Sequence, residues 1–327
     1  GSRATPTSAT DVRAVYEAST ECEGVAIRVE SLWEYDSTGR ITLRVKPVGD
    51  PVDLDGLRLV IPFGKDASLN YMTIGANFRQ SCAAGRIPGD GKPGVVWTSK
   101  EVPYQKMTVG SFVPVVWVGN QAAGMTWFAD SDRGWWPDAV KPALEIIRRE
   151  DGGVDLVANL ASGKVALDGE REIVFGLNVN PVRPMSDHYS SALTFGFLQE
   201  AGRWVPGKSD RKEFALRYPQ DPVRNREVAE AYQRYASVYA PYTETSKMDI
   251  PEDLYAYFGE DLDAAYGPSF GLMINKVFSD IALYETKRWI EDCGGNGFYF
   301  DNVYPRTAYN PRTGAAYTLP DGRVQPG

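Results

Sequence analysis

The sequence predicts a multidomain β plus α/β chain: an antiparallel β-sandwich over residues 1–184, followed by an incomplete TIM-type (β/α) barrel over residues 185–327. Three observations lead there. Short runs of period two fill the first half, Pro181-Val182-Arg183-Pro184 interrupts the chain, and strand–helix alternation follows. A length of 327 residues suits about two domains at ~150 residues each.

The sandwich is read strand by strand. Ile41-Thr42-Leu43-Arg44-Val45 alternates apolar and polar residues, as a half-buried strand must. Similar runs lie at Leu57 to Pro62, Val95 to Thr98, Phe112 to Val118 and Gly124 to Phe128. Leu144 to Ile147, Val154 to Asn159 and Ile173 to Val179 complete the set. Turn clusters such as Gly89-Asp90-Gly91 and Glu150-Asp151-Gly152-Gly153 separate them, which is the punctuation of a β-sandwich.

Beyond Pro184 the rhythm changes. Ala192 to Leu198 reads as a strand, and Asn225 to Ser237 as a helix with Val228, Tyr232 and Tyr235 on one face. Val238 to Tyr242 reads as extended, Pro251 onward as helix, and Phe270 to Ile274 as extended. Ser279 caps a helix through Cys293, closed by Gly294-Gly295, and Gly297-Phe298-Tyr299-Phe300-Asp301 is a strand with an apolar body. A full (β/α)8 barrel takes ~250 residues, more than follow position 184. The remainder of the barrel is therefore expected from a missing segment or a second polypeptide.

Composition removes several function classes. The net charge is −8 and no basic block occurs, which argues against nucleic acid. No apolar run reaches the ~18–20 residues of a membrane helix. One histidine, His188, gives little material for His-based catalysis, and Cys22, Cys82 and Cys293 lack metal-ligand spacing, so neither metal nor cofactor is expected. Whether Cys22 and Cys82 pair stays open. Carboxylates are plentiful, so catalysis here would use Asp, Glu and Tyr.

Two groups of residues could carry chemistry. Asp301 closes the last predicted strand, where barrel active sites are built, and Tyr299, Asn302, Tyr304 and Arg306 surround it in sequence. A turn Asp in an Asp-Asn loop fits the same pattern. The second group is Trp127 to Trp136, in which Asp132 and Arg133 can hydrogen-bond sugar hydroxyls and flat indoles can stack on sugar rings. Trp127 suits a core strand, whereas Trp135 and Trp136 fit core and sugar platform equally.

Three stretches in order resemble a known family: Trp127 to Trp135, Phe175 to Pro184, and Gly297-Phe298-Tyr299-Phe300-Asp301-Asn302-Val303-Tyr304-Pro305. They resemble bacterial glycoside-hydrolase-like proteins, largely uncharacterised, related to glycoside hydrolase family 123. The resemblance implies a sandwich followed by a (β/α) barrel, secreted or periplasmic, with a glycan as partner and substrate. In family 123 an adjacent Asp-Glu pair performs substrate-assisted cleavage of β-N-acetylgalactosaminides. Here the matching pair is Asp301-Asn302, and Asn302 cannot act as the acid. The expectation is thus a glycoside hydrolase with Asp301 as catalytic carboxylate and Asn302, Tyr299, Tyr304, Trp135, Trp136, Asp132 and Arg133 as substrate contacts. Two alternatives stand beside it: a β-N-acetylgalactosaminidase-like hydrolase, and a non-catalytic carbohydrate-binding protein.

Overall fold

A computed structural model describes residues 4–75, 82–88, 91–103, 106–181 and 307–327. Between 196 and 300 it describes three short parallel strands, one hairpin and scattered positions. The chain divides into two units. The first comprises Gly1–Pro184, Pro305–Tyr309 and Ala315–Gly327; the second comprises Met185–Tyr304 and Asn310–Gly314.

The first unit is built from strands. They begin with β1 (Thr5–Ala9), β2 (Arg13–Cys22), β3 (Val25–Glu34), β4 (Thr38–Pro47), β5 (Val52–Leu54) and β6 (Leu57–Phe63). β7 (Asn70–Ile74), β8 (Cys82–Arg86), β9 (Gly94–Thr98), β10 (Val115–Gly119) and β11 (Gly124–Phe128) follow. β12 (Leu144–Arg148), β13 (Val154–Ala161), β14 (Val165–Leu167) and β15 (Arg171–Asn180) complete the series. A nine-stranded sheet runs β1-β2-β3-β4-β15-β11-β10-β7-β8, a four-stranded sheet runs β6-β13-β12-β9, and β14 pairs with β5. All of this pairing is antiparallel.

Alternation decides which faces meet. In β10, Val116 and Val118 point inward; in β12, Leu144 and Ile146 do so from the other sheet, and all four are fully buried. Ile41, Trp127, Ile173 and Phe175 join them from the large sheet, and Phe63, Trp97, Leu156 and Leu160 from the small one. Removal of this apolar surface from water, at roughly 25 cal/mol per Å², is the main force that holds the sheets face to face.

Three serine hydroxyls caught between the sheets are matched. The Ser68 hydroxyl donates to the Gly64 carbonyl at 2.8 Å and accepts the Val154 N–H at 3.1 Å. Ser99 Oγ accepts the Leu144 N–H at 3.1 Å and lies 2.9 Å from Ser111 Oγ, which accepts the Ala143 N–H. These hydroxyls occupy main-chain donors that no strand partner reaches. Cys22 and Cys82, whose pairing the sequence left open, are both free and exposed.

The second unit contributes β16 (Gly196–Phe197), β17 (Ala236–Ala240), β18 (Gly259–Leu262), β19 (Ser269–Leu272) and β20 (Phe298–Phe300). β16, β17 and β20 form a parallel sheet in that order, and β18 pairs with β19 as an antiparallel hairpin. The first unit then regains the chain, which ends in the small hairpin β21 (Tyr317–Thr318) and β22 (Val324–Gln325).

These findings correct the TIM-type (β/α) barrel. Described strands are overwhelmingly antiparallel and parallel pairing stops at three, whereas a barrel needs eight consecutive parallel strands with covering helices. Among the described residues α-helical backbone occurs at Tyr257 and at scattered positions from Ser279 to Glu291, with no continuous helix. The stretch Phe270 to Ile274, read as a parallel barrel strand, overlaps β19 and folds back on β18 instead. β18 itself was hidden because Gly259-Glu260-Asp261-Leu262 is charged and poor in β-formers. The expected helix over Asn225 to Ser237 lies almost wholly outside the described residues. No helix among them is long and apolar enough to cross a membrane.

Ser68 gives a test of how the sheets are tied together. Ser68→Ala strips the Val154 N–H of its acceptor, and urea unfolding should register a loss of about 1–3 kcal/mol.

Candidate functional site

The loop after β11 carries half of the residues singled out in the sequence. It leaves the sheet at Ala129, whose N–H bonds to the Pro114 carbonyl, and turns where the Trp135 N–H meets the Asp132 carbonyl at 3.0 Å. Gly134 makes the turn possible. Its φ is +84°, and a Cβ there would collide with the Glu172 carbonyl oxygen of β15.

The turn sends the Asp132 side chain inward, to 2% exposure. One carboxylate oxygen accepts from the Tyr317 hydroxyl at 3.1 Å, the other from Gln325 Nε2 at 2.9 Å. Gln325, fully buried in β22, also grips the main chain of Val109: its Nε2 donates to the carbonyl at 2.8 Å and its Oε1 accepts the N–H at 3.0 Å. Arg133 donates to the Ala316 carbonyl at 2.7 Å, with its guanidinium 5.7 Å from the Tyr317 ring centre. Reciprocal bonds between Ala308 and Gly327, at 2.8 and 3.1 Å, fix the end of the chain.

Burial dominates the electrostatics. It pushes the Asp132 carboxyl up to about 6, against the pull of the Gln325 and Tyr317 hydrogen bonds. The Tyr317 hydroxyl is raised as well, first by burial and then by the Asp132 charge. Asp132 and Arg133, expected to meet sugar hydroxyls, are thus committed to the chain's own tail. That corrects the reading of Asp132 as a substrate contact: a carboxylate at 2% exposure, bonded on both oxygens, offers no ligand a free acceptor, whereas Arg133 is exposed and spends one N–H on the tail.

Trp135 is corrected in the same way. Trp135, at 5% exposure, meets Phe112 edge-on with ring centres 5.8 Å apart and lies 6.2 Å from Trp127. A stacking platform must present one ring face to solvent, and the core ring of Trp135 presents none. The N–H groups of Trp127 and Trp135 find no acceptor among the described residues. Trp136 is half-buried against the cluster of Val25, Val45 and Leu167, under the Arg171 guanidinium at 4.7 Å.

Asp301, Asn302 and Tyr304 lie outside the described residues. Tyr299 is the middle residue of β20, paired with Tyr239 of β17, and Phe300 pairs with Ala240. Asp301 is the next residue after the strand.

The outer face of the large sheet carries a feature that the sequence did not announce. Trp117 Nε1 donates to Asn180 Oδ1 at 3.2 Å, Asn180 Nδ2 to Asn178 Oδ1 at 3.2 Å, and Asn178 Nδ2 to Thr38 Oγ1 at 2.9 Å. This relay crosses from β10 to β4 over residues 142 positions apart at most, so no local pattern reveals it. No cluster of three or more metal-ligating side chains occurs among the described residues.

No family model and no curated protein matches the chain. It is similar to a solved structure of a candidate aldose 1-epimerase from Escherichia coli K12, at 12% identity over 55% of this chain and 69% of the other, with TM-score 0.27. It is also similar to that of the Slr1438 protein from Synechocystis sp. PCC 6803, at 10% identity over 54% of this chain and 65% of the other, with TM-score 0.32.

The buried carboxyl makes stability depend on pH. Its folded pKa of about 6 exceeds the model-compound value of 3.8, so the fold favours the protonated form. The contribution is greatest below about pH 4, falls as pH rises through about 6, and is flat above. Relative to Asp132→Asn, which keeps the shape and cannot ionise, the native chain should lose on the order of 3 kcal/mol between pH 4 and 7. Parallel urea titrations of the two proteins measure it. Gly134→Ala should cost at least about 2 kcal/mol in the same assay, since it meets both left-handed strain and a backbone clash.

Proposed function

We propose that the chain acts on a carbohydrate and cleaves a glycosidic bond, with Asp301 as a catalytic carboxylate. One observation carries this reading. β16, β17 and β20 run parallel in register, so their carboxyl ends lie along one edge, and Asp301 follows immediately after the last of them. Ligands of parallel sheets bind outside the carboxyl ends of the strands, because side chains just past the strands converge there without blocking the ladder. The resemblance of Gly297 to Pro305 to the family-123 relatives supports a glycan as the substrate.

In such a site a carboxyl group either protonates the leaving glycosidic oxygen or attacks the anomeric carbon, and a second carboxylate takes the other part. Asn302 cannot be that second group. It can donate to, and accept from, the substrate's hydroxyl or acetamide groups. The same residue favours a second reading, a carbohydrate-binding protein without turnover, because the acid of the family's Asp-Glu pair is replaced.

A panel of glycans incubated with the native chain and with Asp301→Ala separates the readings. Hydrolysis by the native chain, reduced about 10²–10⁴-fold in kcat by the substitution, is the expected result. Equal turnover by both proteins would remove Asp301 from the mechanism. Glycan binding without release of product would establish the second reading. Interconversion of the anomers of a free aldose, with no bond cleavage, would overturn hydrolysis and keep a sugar as substrate.

A further inference from the structure

Three strand ends meet at one corner of the nine-stranded sheet. Asn70 opens β7, Arg86 ends β8 and Gly119 ends β10; Arg86 pairs with Asn70, and Asn70 with Gly119. Directly opposed residues share a sheet face, so Asn70 and Arg86 project side by side, and the place a side chain would take at Gly119 is filled by the Trp117 indole. Leu69, Ile87 and Pro88 form an apolar wall, and the turn from Asn120 to Ala122 closes the other side. The cleft measures about 710 Å³, within the ~300–1,000 Å³ of small-molecule sites.

Its polar groups fall into two kinds. Asn120 is committed to the turn: its Oδ1 accepts the N–H groups of Ala122 and Ala123, each at 2.7 Å, and its Nδ2 donates to the Asp66 carbonyl at 2.7 Å. Asn70, Arg86 and Gln121 are not. Among the described residues no hydrogen bond or ion pair engages their side chains.

The charge is one-sided as well. No carboxylate lines the cleft among the described residues. A second guanidinium, that of Arg148, stands behind the wall at 6% exposure and donates to the carbonyl of Pro88. No ion pair among the described residues neutralises it, and its Nε lacks an acceptor. A buried cation without a counter-charge keeps the field at the wall positive, where low dielectric screens it little.

We infer that this cleft binds a saccharide bearing a carboxylate, a hexuronate unit of a glycan. The Arg86 fork matches a carboxylate in two parallel hydrogen bonds. The amides of Asn70 and Gln121 each offer a donor and an acceptor to neighbouring hydroxyls, and the apolar wall receives the C–H face of the ring. This rests on the carbohydrate reading above and narrows the class of sugar; it does not depend on Asp301.

Calorimetric titration of the full chain tests it, with trigalacturonate and trimannuronate as acidic probes, galactotriose as the neutral one and acetate as the free anion. At least one acidic trisaccharide should bind, with galactotriose and acetate weaker by about tenfold or more. Arg86→Gln should weaken the acidic trisaccharide by about tenfold or more, and Gln121→Ala, on the turn, by a few-fold, with thermal midpoints unchanged. Three results would each overturn the inference: neither acidic probe binds, galactotriose binds as tightly, or Arg86→Gln binds like the native chain. Asp301→Ala separates this site from the proposed reaction. Arg86-dependent binding with no hydrolysis of any glycan would discard the hydrolase and keep the cleft. Hydrolysis that needs Asp301, without Arg86-dependent binding, would do the reverse.

Discussion

A carboxylate buried without a cation is the constraint around which the first unit is arranged. Asp132 is hidden from water and accepts only neutral donors, Tyr317 and Gln325, both from the last stretch of the chain. Such a group is costly unless every lone-pair direction that matters is matched, and here both oxygens are. Because its partners arrive from the tail, the same bonds that satisfy the carboxylate also hold β21 and β22 on the sandwich. Gly134 supplies the bend that aims Asp132 inward, and the bend carries Trp135 into the core beside Phe112. Cap, turn and core ring form one assembly.

That assembly has a consequence for chain organisation. Residues on both sides of Met185–Tyr304 belong to the first unit, so the main part of the second unit is an excursion that leaves after β15 and returns before Ala308, with Asn310–Gly314 as a further short piece. Both ends of the excursion are fixed to one scaffold: the departure by β15, inside the large sheet, and the return by the Ala308–Gly327 pair. A unit held at both ends loses less chain entropy on folding than one tethered at a single end, since closure is already supplied.

The sequence reveals this fold unevenly, and particular residues say why. β4 and β12 are legible because Ile41 to Val45 and Leu144 to Ile147 alternate against one buried face. β2 and β3 are not, since their ten residues apiece carry charges such as Glu17, Arg28 and Glu30 on a face open to water. Their turn hides too, with Glu23 and Gly24 both at positive φ where Asn-Gly is the usual signal. Alternation of strand and helix says nothing by itself of strand direction, which is why Phe270 to Ile274 reads as a barrel strand although it overlaps β19 and folds back on β18. Asp132 drew attention in the sequence for its neighbours, Arg133 and Trp135, but its actual partners lie 185 and 193 positions away. Arg86 and Asn70 gave no signal at all, because their meeting is made by register across β7 and β8.

Amide hydrogen exchange on the full chain, native against Gln325→Ala, tests most directly whether the buried carboxylate and the tail act as one unit. Protection should fall together at Val109, which bonds the missing side chain, at Trp135 in the Asp132 turn, and at Ala308 and Gly327 in the tail. Faster exchange at Val109 alone, with Trp135, Ala308 and Gly327 as slow as in the native chain, would contradict it.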